Sequence, residues 1–517
     1  MTSRPNSLLS LVAIAIAATL GLPAPCNAIN LAPNEAGDVL IFPYYTVRNG
    51  FDTLISVTNI SDRTVLATLR VREARNGRPL REFHLALTAY DVWTGAVTSD
   101  GGGGAVVRSF DRSCTAPALE AGPNGSTQIA LSTAGFDGSD ARYPYDNGGR
   151  DLSRVQEGFV EVIEMAISSY PIPDDWPNSR IDGSIQYRTA RDQFEPYPRD
   201  CPGYAALMTY AANFDPISAL ADATLTTFSS FEAPKNVLFG SATLINVGSG
   251  QAYDATPTTI QNFRATAPII YMPGSGKPTL AHGDAGMTAI QFDRDGNLIS
   301  TPNIASSFDA VSTMLMATQL TNEFATGGTA TSSARTDWVV TYPTKHFYTD
   351  AASSGSSVAL APFSYGLEFS NQGGSCNGYN VLFADRTGDI SIDRTDLIPP
   401  SFFRATCRSA NALPVLQVRD QFSSILRSGD ESALAMPQLQ SGRASFASGW
   451  LTLYFRGYGY RSQQADPREL LGGDSLNGLL GVPAIGFAVI ERNNSAEAGN
   501  NRNYGSGRPH VVDVIKP

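Results

Sequence analysis

Histidine is scarce in this chain, with four in 517 residues, at positions 84, 282, 346 and 510. That removes most routes to imidazole acid–base chemistry and to histidine-rich metal centres. None of the four falls in an H-x-H or H-E-x-x-H pattern, and no G-x-S-x-G elbow occurs. His84 lies between Phe83 and Leu85, so a strand would turn it away from their face and toward solvent.

Lysine is equally rare: Lys235, Lys277, Lys345 and Lys516 are the whole set, and the other basic residues are arginine. With a net charge of −11 and a pI near 4.9, the chain lacks the basic surface that nucleic acid or an anionic membrane would require. After Ala28 no apolar run approaches the roughly 20 residues of a membrane-spanning helix. Before it, Arg4, the apolar run Leu8 to Leu22 and the segment Pro23 to Ala28 have the form of a secretory signal, with cleavage expected after Ala28. Residues 1–28 are therefore read as a signal peptide. The mature protein is expected to be periplasmic or extracellular, with no membrane insertion once the signal is removed. Lipidation at Cys26 is disfavoured by Pro25.

Cysteine is limited to five, and losing Cys26 with the signal leaves Cys114, Cys201, Cys376 and Cys407. An even number in an oxidising compartment predicts two disulfides. Pairing of sequence neighbours, Cys114 with Cys201 and Cys376 with Cys407, keeps each bond within one half of the chain. No cysteine has a second cysteine or a histidine at zinc-ligand spacing.

What is abundant is period-two alternation. Ile55, Val57 and Asn59 alternate with Leu54, Ser56 and Thr58. Next, Val65, Ala67, Leu69 and Val71 alternate with Leu66, Thr68, Arg70 and Arg72, as in a strand with one face on a core and one in water. Arg75-Asn76-Gly77-Arg78 fits a hairpin with a type I′ turn, after which Phe83, Leu85 and Leu87 resume the inward set before Tyr90 to Trp93. Ala121 to Arg154 reads as a long loop, Gly158 to Ile167 as a strand, and Val237 to Val247 as the strand that opens a second half. Trp338 to Tyr342, Asn380 to Phe383, Ile390 to Ile392, Val415 to Val418, Trp450 to Phe455 and Ile485 to Ile490 follow as strands. Helices are expected around Leu207, Tyr210, Ala211 and Phe214, from Asp215-Pro216 through Leu220, and from Asp309 to Ala325 with Ser307 as its cap and Gly327 as its stop. The fold class is all-β: two Ig-like or sandwich-like halves, 29–235 and 236–517, with a few short helices in the connections.

Four blocks, Asp38 to Tyr45, Leu238 to Ala242, Asp337 to Lys345 and Ile485 to Phe487, resemble a family of exported proteobacterial proteins without an established activity. The resemblance implies export and a shared β-rich fold, and it carries over no catalytic residue.

Few constellations bear chemistry. Glu161 and Glu164 have the residue type of a glycosidase pair, but three residues apart on a strand they point to opposite faces, where they serve solubility. Gly274-Ser275-Gly276-Lys277-Pro278 lacks the spacing of a phosphate loop and reads as a turn. Tyr454, Tyr458 and Tyr460 share a parity with Arg456 and could stack sugar rings if the strand from Trp450 persists; packing explains such a stripe as well. The segment from Asp385 to Asp396 places oxygen ligands for calcium at Asp385, Thr387, Asp389, Asp393 and Asp396, with the Ser391 carbonyl between them. Ile390 stands where the sharp turn needs glycine, so a hairpin about Thr387-Gly388 fits the same residues. Asp293 to Asn297 is a weaker calcium candidate and again reads as a turn.

No cofactor other than calcium is expected. The function expected is that of an exported, non-enzymatic structural, adhesive or matrix component that meets a protein or polysaccharide surface. The alternatives are a secreted glycosidase-like hydrolase and a calcium-dependent carbohydrate-binding protein.

Overall fold

The computed structural model describes residues 28–137, 139, 148–169, 188–189, 198–210, 231–328, 332–356, 359–363, 366–367, 376–388, 390–392, 405–416, 425–428, 434–435, 448–455, 475–494 and 502–516. The signal segment before Ala28 and the helix expected from Asp215 lie outside them, as do Ala211 and Phe214.

The architecture is all-β with a few short helices. In chain order, the first strands are β1 (Ala28–Leu31), β2 (Val39–Thr46), β3 (Asp52–Asn59), β4 (Val65–Glu73), β5 (Pro79–Leu87) and β6 (Val92–Ser99). Then come β7 (Ala105–Ser109), β8 (Cys114–Ala116), β9 (Glu120–Ala121), β10 (Thr127–Ala130), β11 (Glu157–Ser168) and β12 (Phe231–Glu232). After helix α1 (Cys201–Tyr210), β13 (Leu238–Asn246), β14 (Gln251–Asp254), β15 (Thr258–Gln261), β16 (Met287–Phe292) and β17 (Leu298–Ile304) complete the set. One sheet runs β17-β16-β1-β15-β2-β11-β4-β5-β8, with β12 added to β11, and the other runs β14-β13-β3-β6-β7-β10-β9.

The boundary expected at residue 236 does not divide the fold. Leu238 to Ile245 of β13 pair residue by residue with Asn59 to Asp52 of β3, and β15 pairs with both β1 and β2. Strands 238–304 thus belong to the sheets begun by residues 28–168. The second pair of sheets starts only after Ile304. One places Cys376–Asp385, Ser448–Phe455, Gln319–Ala325 and Val511–Asp513 side by side; the other places Ala410–Leu416, Ser332–Thr341, Ile485–Asn494 and Arg502–Pro509. A single apolar core runs from Ile29 to Ile490 through both pairs.

Polar ties cross between the two sheet pairs. Thr341 Oγ1 donates to the Pro43 carbonyl at 2.6 Å, and the backbone N–H of Ala410 donates to Ala74 at 2.9 Å. Glu157 accepts from Arg408 at 2.8 Å and from Ser428 at 2.6 Å. Gly507 passes so close to β14 that a Cβ there would lie 2.0 Å from the Asp254 carbonyl oxygen, which excludes any side chain.

Two further expectations change. The helix read from Asp309 to Ala325 is α2 (Ser307–Met314), capped by Ser306 rather than Ser307, and Gln319–Ala325 is a strand. The apolar residues Leu320 and Phe324 meet helical spacing by coincidence, and the strand pairing of Gln319 to Ala325 with Tyr454 to Ser448 prevails. The turn at 74–78 is not a two-residue type I′ hairpin, since Gly77 has a positive φ but Asn76 does not. It is wound about the buried Glu73 carboxylate, which accepts from the backbone N–H groups of Arg75, Asn76 and Arg78 at 2.6, 2.8 and 3.1 Å.

The two faces of the first sheet differ. Leu40, Val162, Leu69 and Phe83 lie in register across β2, β11, β4 and β5, and this face packs on the second sheet, with Phe83 5.8 Å from Trp93 between ring centroids. One residue along, Ile41, Glu161, Arg70 and Glu82 form the register row of the opposite face. That face was expected in water, yet every residue of β4 and β11 is buried. Later chain covers it: Arg70 donates to the Pro278 carbonyl at 2.7 Å, the Ile269 N–H donates to Met165 at 2.9 Å, and Arg78 lies 3.6 Å from Asp350, just past the short helix α3 (His346–Thr349).

Candidate functional site

Each disulfide forms with the expected partner, Cys114 with Cys201 and Cys376 with Cys407. The first ties α1 to β8 at the margin of the first sheet.

The acid–base residue types gather on the covered face. Arg70 pairs with Glu82, and the Glu161 carboxylate lies 2.7 Å from Arg72 Nε and 3.7 Å from Arg70. His84 follows in the next register row, opposite Thr68 and 3.8 Å from Glu82. It is fully buried, against the expectation of a solvent-facing ring, because the face it points to is covered. Burial holds its imidazole below the usual range and therefore neutral. Burial alone would raise Glu82, but the Arg70 guanidinium outweighs it and brings the carboxyl to about 2. His346, against the same face, is likewise buried and held well below the ordinary value by desolvation and by Arg72 and Arg70. These side chains are at most 7% exposed, so a substrate has no route to them as they stand.

Glu164 does point opposite to Glu161, as its spacing requires, but it is buried rather than solubilising. It pairs in register with Ala67 of the apolar face and accepts from the N–H groups of Lys235 at 2.9 Å and Val237 at 3.3 Å. Asp38 is its neighbour across β2, accepting from the N–H groups of Phe263 and Arg264 at 3.1 and 2.9 Å. Burial and the mutual charge raise Glu164 to about 8; burial raises Asp38 to about 7, against its backbone hydrogen bonds. Here the two acids fasten the chain at 235–237 and 263–264 to the sheet.

The remaining histidines are structural. His510 Nε2 lies 2.9 Å from the Val339 carbonyl and its Nδ1 3.0 Å from Asn322 Nδ2, a pairing that fits the neutral tautomer protonated at Nε2, and the ring sits 4.4 Å from that of Trp338. Its pKa is lowered to about 3 by burial. His282 is lowered to about 4, by burial first and then by Lys277 and Arg70, and its Nδ1 accepts from the Thr279 N–H at 3.1 Å.

Among the calcium candidates, Asp385 to Ile392 closes as a hairpin: Leu382, Phe383 and Ala384 pair with Ile392, Ser391 and Ile390, and Gly388 takes a positive φ. The Asp385 carboxylate is turned onto the N–H and hydroxyl of Thr387, both at 2.8 Å. Asp389, Asp393 and Asp396 lie outside the described residues. Asp293 caps its own turn, accepting from the N–H groups of Asp295 at 3.0 Å and Asn297 at 2.7 Å, and the segment at Gly274 is also a turn. Among the described residues no group of three or more His, Cys, Asp or Glu side chains converges as a metal site. Of the tyrosine stripe, Tyr454 is half-buried on its strand, while Arg456, Tyr458 and Tyr460 lie outside the described residues.

A concave site that the sequence reading missed opens at one end of the first sandwich. An open cleft of about 320 Å3 is lined by Tyr90, Asp91, Val92 and the segment from Phe110 to Ser113, together with Pro198. Tyr90, which follows the inward set of Phe83, Leu85 and Leu87, is 69% exposed, and Phe110 is 65% exposed. Tyr90 sits at φ 58°, a left-handed conformation that a bulky side chain rarely takes. Its backbone N–H donates to Ser61 at 3.0 Å and that of Asp91 to Thr88 at 3.1 Å, which hold the turn. Asp91 is spent internally: its carboxylate accepts from Val92 N at 3.0 Å and Ser113 Oγ at 3.1 Å. Asp111 in turn accepts from Ser113 N at 2.7 Å. The disulfide at Cys114 adjoins Ser113 and leads back to Cys201, three residues from Pro198. The sequence signal for this site is an aromatic in each of two polar turns, Thr88 to Asp91 and Phe110 to Ser113, where packing gives it nothing to do.

No helix among the described residues is long and apolar enough to cross a membrane. No family model, no curated protein and no solved structure matches the chain.

Proposed function

We propose that this is an exported, non-catalytic protein that serves as a structural, adhesive or matrix component by presenting a rigid β surface at the cell envelope or beyond it. One observation carries the reading: the acid–base groups gathered on the covered face, Glu82, His84, Glu161 and His346, are enclosed between the first sheet and the chain at 277–278 and 345–350, and Arg70 and Arg72 pair with Glu82 and Glu161. Catalysis needs such groups within hydrogen-bond reach of a substrate. Two disulfides suit an oxidising compartment, and the form of residues 1–28 supports export.

The test is incubation of the purified protein with neutral and charged polysaccharides and with casein, scoring new reducing ends and new amines. No release above the blank is expected. Turnover that disappears in a folded Glu161→Gln variant would overturn the proposal. Export is tested separately by cell fractionation and N-terminal sequencing, which should place the protein outside the cytoplasm with Ile29 first.

A further inference from the structure

We propose that Asn124 is a modification site, at which the chain converts its own asparagine to aspartate and isoaspartate and so loosens the edge strand β9. The inference goes beyond the adhesive reading and does not depend on it.

The chemistry needs an asparagine followed by glycine. The Gly125 nitrogen, having given its proton to hydroxide, attacks Asn124 Cγ. The new N–Cγ bond closes a five-membered imide, and the Cγ–Nδ2 bond breaks as the amide nitrogen takes a proton from water and leaves as ammonia. Water then opens the imide at either carbonyl. One opening restores the main chain with an aspartate; the other routes the main chain through Cβ and Cγ as isoaspartate. Nothing is oxidised or reduced, and water is the only co-reactant. Glycine favours the step because it turns freely and has no side chain to shield its nitrogen.

Six Asn-Gly pairs occur, with asparagine at 49, 76, 124, 147, 377 and 477. Asn147 lies outside the described residues, and the structure separates the other five. Ring closure requires the asparagine backbone to rotate and its amide to be free, so contacts that hold either one slow the site. Asn377 is buried and paired with Thr406 in a sheet. Gly77, after Asn76, is buried, its carbonyl accepts from Arg72 at 2.7 Å, and a Cβ on it would lie 3.0 Å from Ser409 Oγ. Asn49 is exposed, but its Nδ2 donates to the Ile425 carbonyl at 2.9 Å and its own carbonyl accepts from Asn246 at 2.7 Å. Asn477 is also exposed, and its Nδ2 donates to Thr313 Oγ1 at 2.7 Å.

Asn124 differs from all four. It is exposed, its side chain has no hydrogen-bond partner among the described residues, and nothing lies within 4 Å of where a Cβ on Gly125 would stand. Asn124 and Gly125 both sit at positive φ, in the short turn Pro123–Gly125, and that turn must open before the nitrogen can reach Cγ. Only local bonds close it: the Ser126 N–H to the Pro123 carbonyl at 3.1 Å, the Ser126 hydroxyl to the same carbonyl at 2.6 Å, and the Gly122 N–H to the Ser126 carbonyl at 2.8 Å. Exposed turns held this way open at low cost.

The consequence falls on β9. Its residues Glu120 and Ala121 pair with Gln128 and Thr127 of β10, it has no other strand partner among the described residues, and Asn124 lies in the turn between the two strands. Isoaspartate adds one carbon to the main chain of that turn and a negative charge beside it, which spoils the register the turn sets.

The experiment ages the purified protein in warm, mildly alkaline buffer made with heavy-oxygen water, which marks each converted residue for peptide mass mapping. Asn124 should convert first, roughly tenfold or more faster than Asn49, Asn76, Asn377 and Asn477, because those sites need a larger opening. In urea the five rates should converge, since sequence alone then acts. The rate should rise with pH, because the attacking nitrogen must lose its proton. Amide hydrogen exchange at Glu120 and Ala121 should quicken in aged protein but not in an aged Asn124→Gly variant, which suits the positive φ and cannot form the imide. Another of the five converting as fast as Asn124 in the folded protein, an Asn124 that stays intact while the urea-unfolded chain converts, or the same ranking with and without urea would overturn the site. Unchanged exchange at β9 in converted protein would overturn the loosening.

Discussion

Glu161 and Glu164 lie three residues apart on β11, are both fully buried, and have opposite fates. Glu161 faces the covered side, where Arg72 and Arg70 approach its carboxylate. Glu164 faces the side that packs on the second sheet, where backbone N–H groups of Lys235 and Val237 meet it and Asp38 is its acidic neighbour. A strand places neighbours on alternate faces, but what those faces meet is decided by distant chain. The comparison teaches that two buried carboxylates on one strand can meet opposite surroundings, guanidinium groups for one and backbone N–H groups with a second acid for the other.

The sharpest way to break this comparison is to remove one member of the ionic row. Glu161→Ala leaves Arg72 and Arg70 buried with less compensation and is expected to destabilise by about 3–5 kcal/mol. A urea midpoint within error of wild type would show that the covered face is hydrated in solution, and the contrast with Glu164 would collapse. The apolar row is next. Leu69→Ala, in register with Val162 and Phe83, is expected to cost about 3 kcal/mol through lost burial and a residual cavity. Neither effect should change much with salt, because both rows are buried and buried charge pairs are screened little.

The sequence carries much of this architecture. The alternation of Val65, Ala67, Leu69 and Val71 with Leu66, Thr68, Arg70 and Arg72 names both faces of β4 correctly, and the parity of Glu161 and Glu164 follows from it. The disulfides follow from the even cysteine count and chain order. What the alternation cannot show is the cover. Arg70 and Arg72 resemble solvated residues because the atoms that enclose them, the Pro278 carbonyl and the helix at His346, come from about 200 residues or more away in sequence. His84 is misjudged for the same reason. The division at 236 fails because β13 reads as a fresh start, although its partner, β3, had been waiting since Asp52. The cleft was missed because the parity of Phe83, Leu85 and Leu87 does not show that Tyr90 and Phe110, in separate turns, border one space; the φ and exposure of Tyr90 reveal that it leaves the sheet.

The effect that sets the two faces against each other in a single measurement is the dependence of stability on pH. Asp38 and Glu164 have folded values of about 7 and about 8, above an unfolded carboxyl range of about 4. A raised value means that the folded state binds protons the unfolded chain has released, so this contribution is complete below about pH 4 and is lost as pH rises through 7 and 8. The charges and hydrogen-bond groups that face the pair are Asp284, Arg264, and the N–H groups of Phe263, Lys235 and Val237. Glu82 lies the other way, at about 2 beside Arg70, so its contribution is complete above the unfolded range and is lost as pH falls toward 2. The stability curve should therefore decline at both ends, with the acid limb belonging to the ionic face and the limb between pH 5 and 8.5 belonging to the Asp38–Glu164 end. Glu164→Gln keeps an acceptor for one of the two N–H groups, which meet different carboxylate oxygens, and removes the titration, so its melting temperature should fall less between pH 5 and 8.5 than that of wild type. Glu82→Gln should flatten the acid limb and leave the other unchanged. A wild-type curve that rises from pH 5 to 8.5, or one that Glu164→Gln leaves unaltered, would mean that Asp38 and Glu164 are ionised in the folded protein and held by a counter-charge after all.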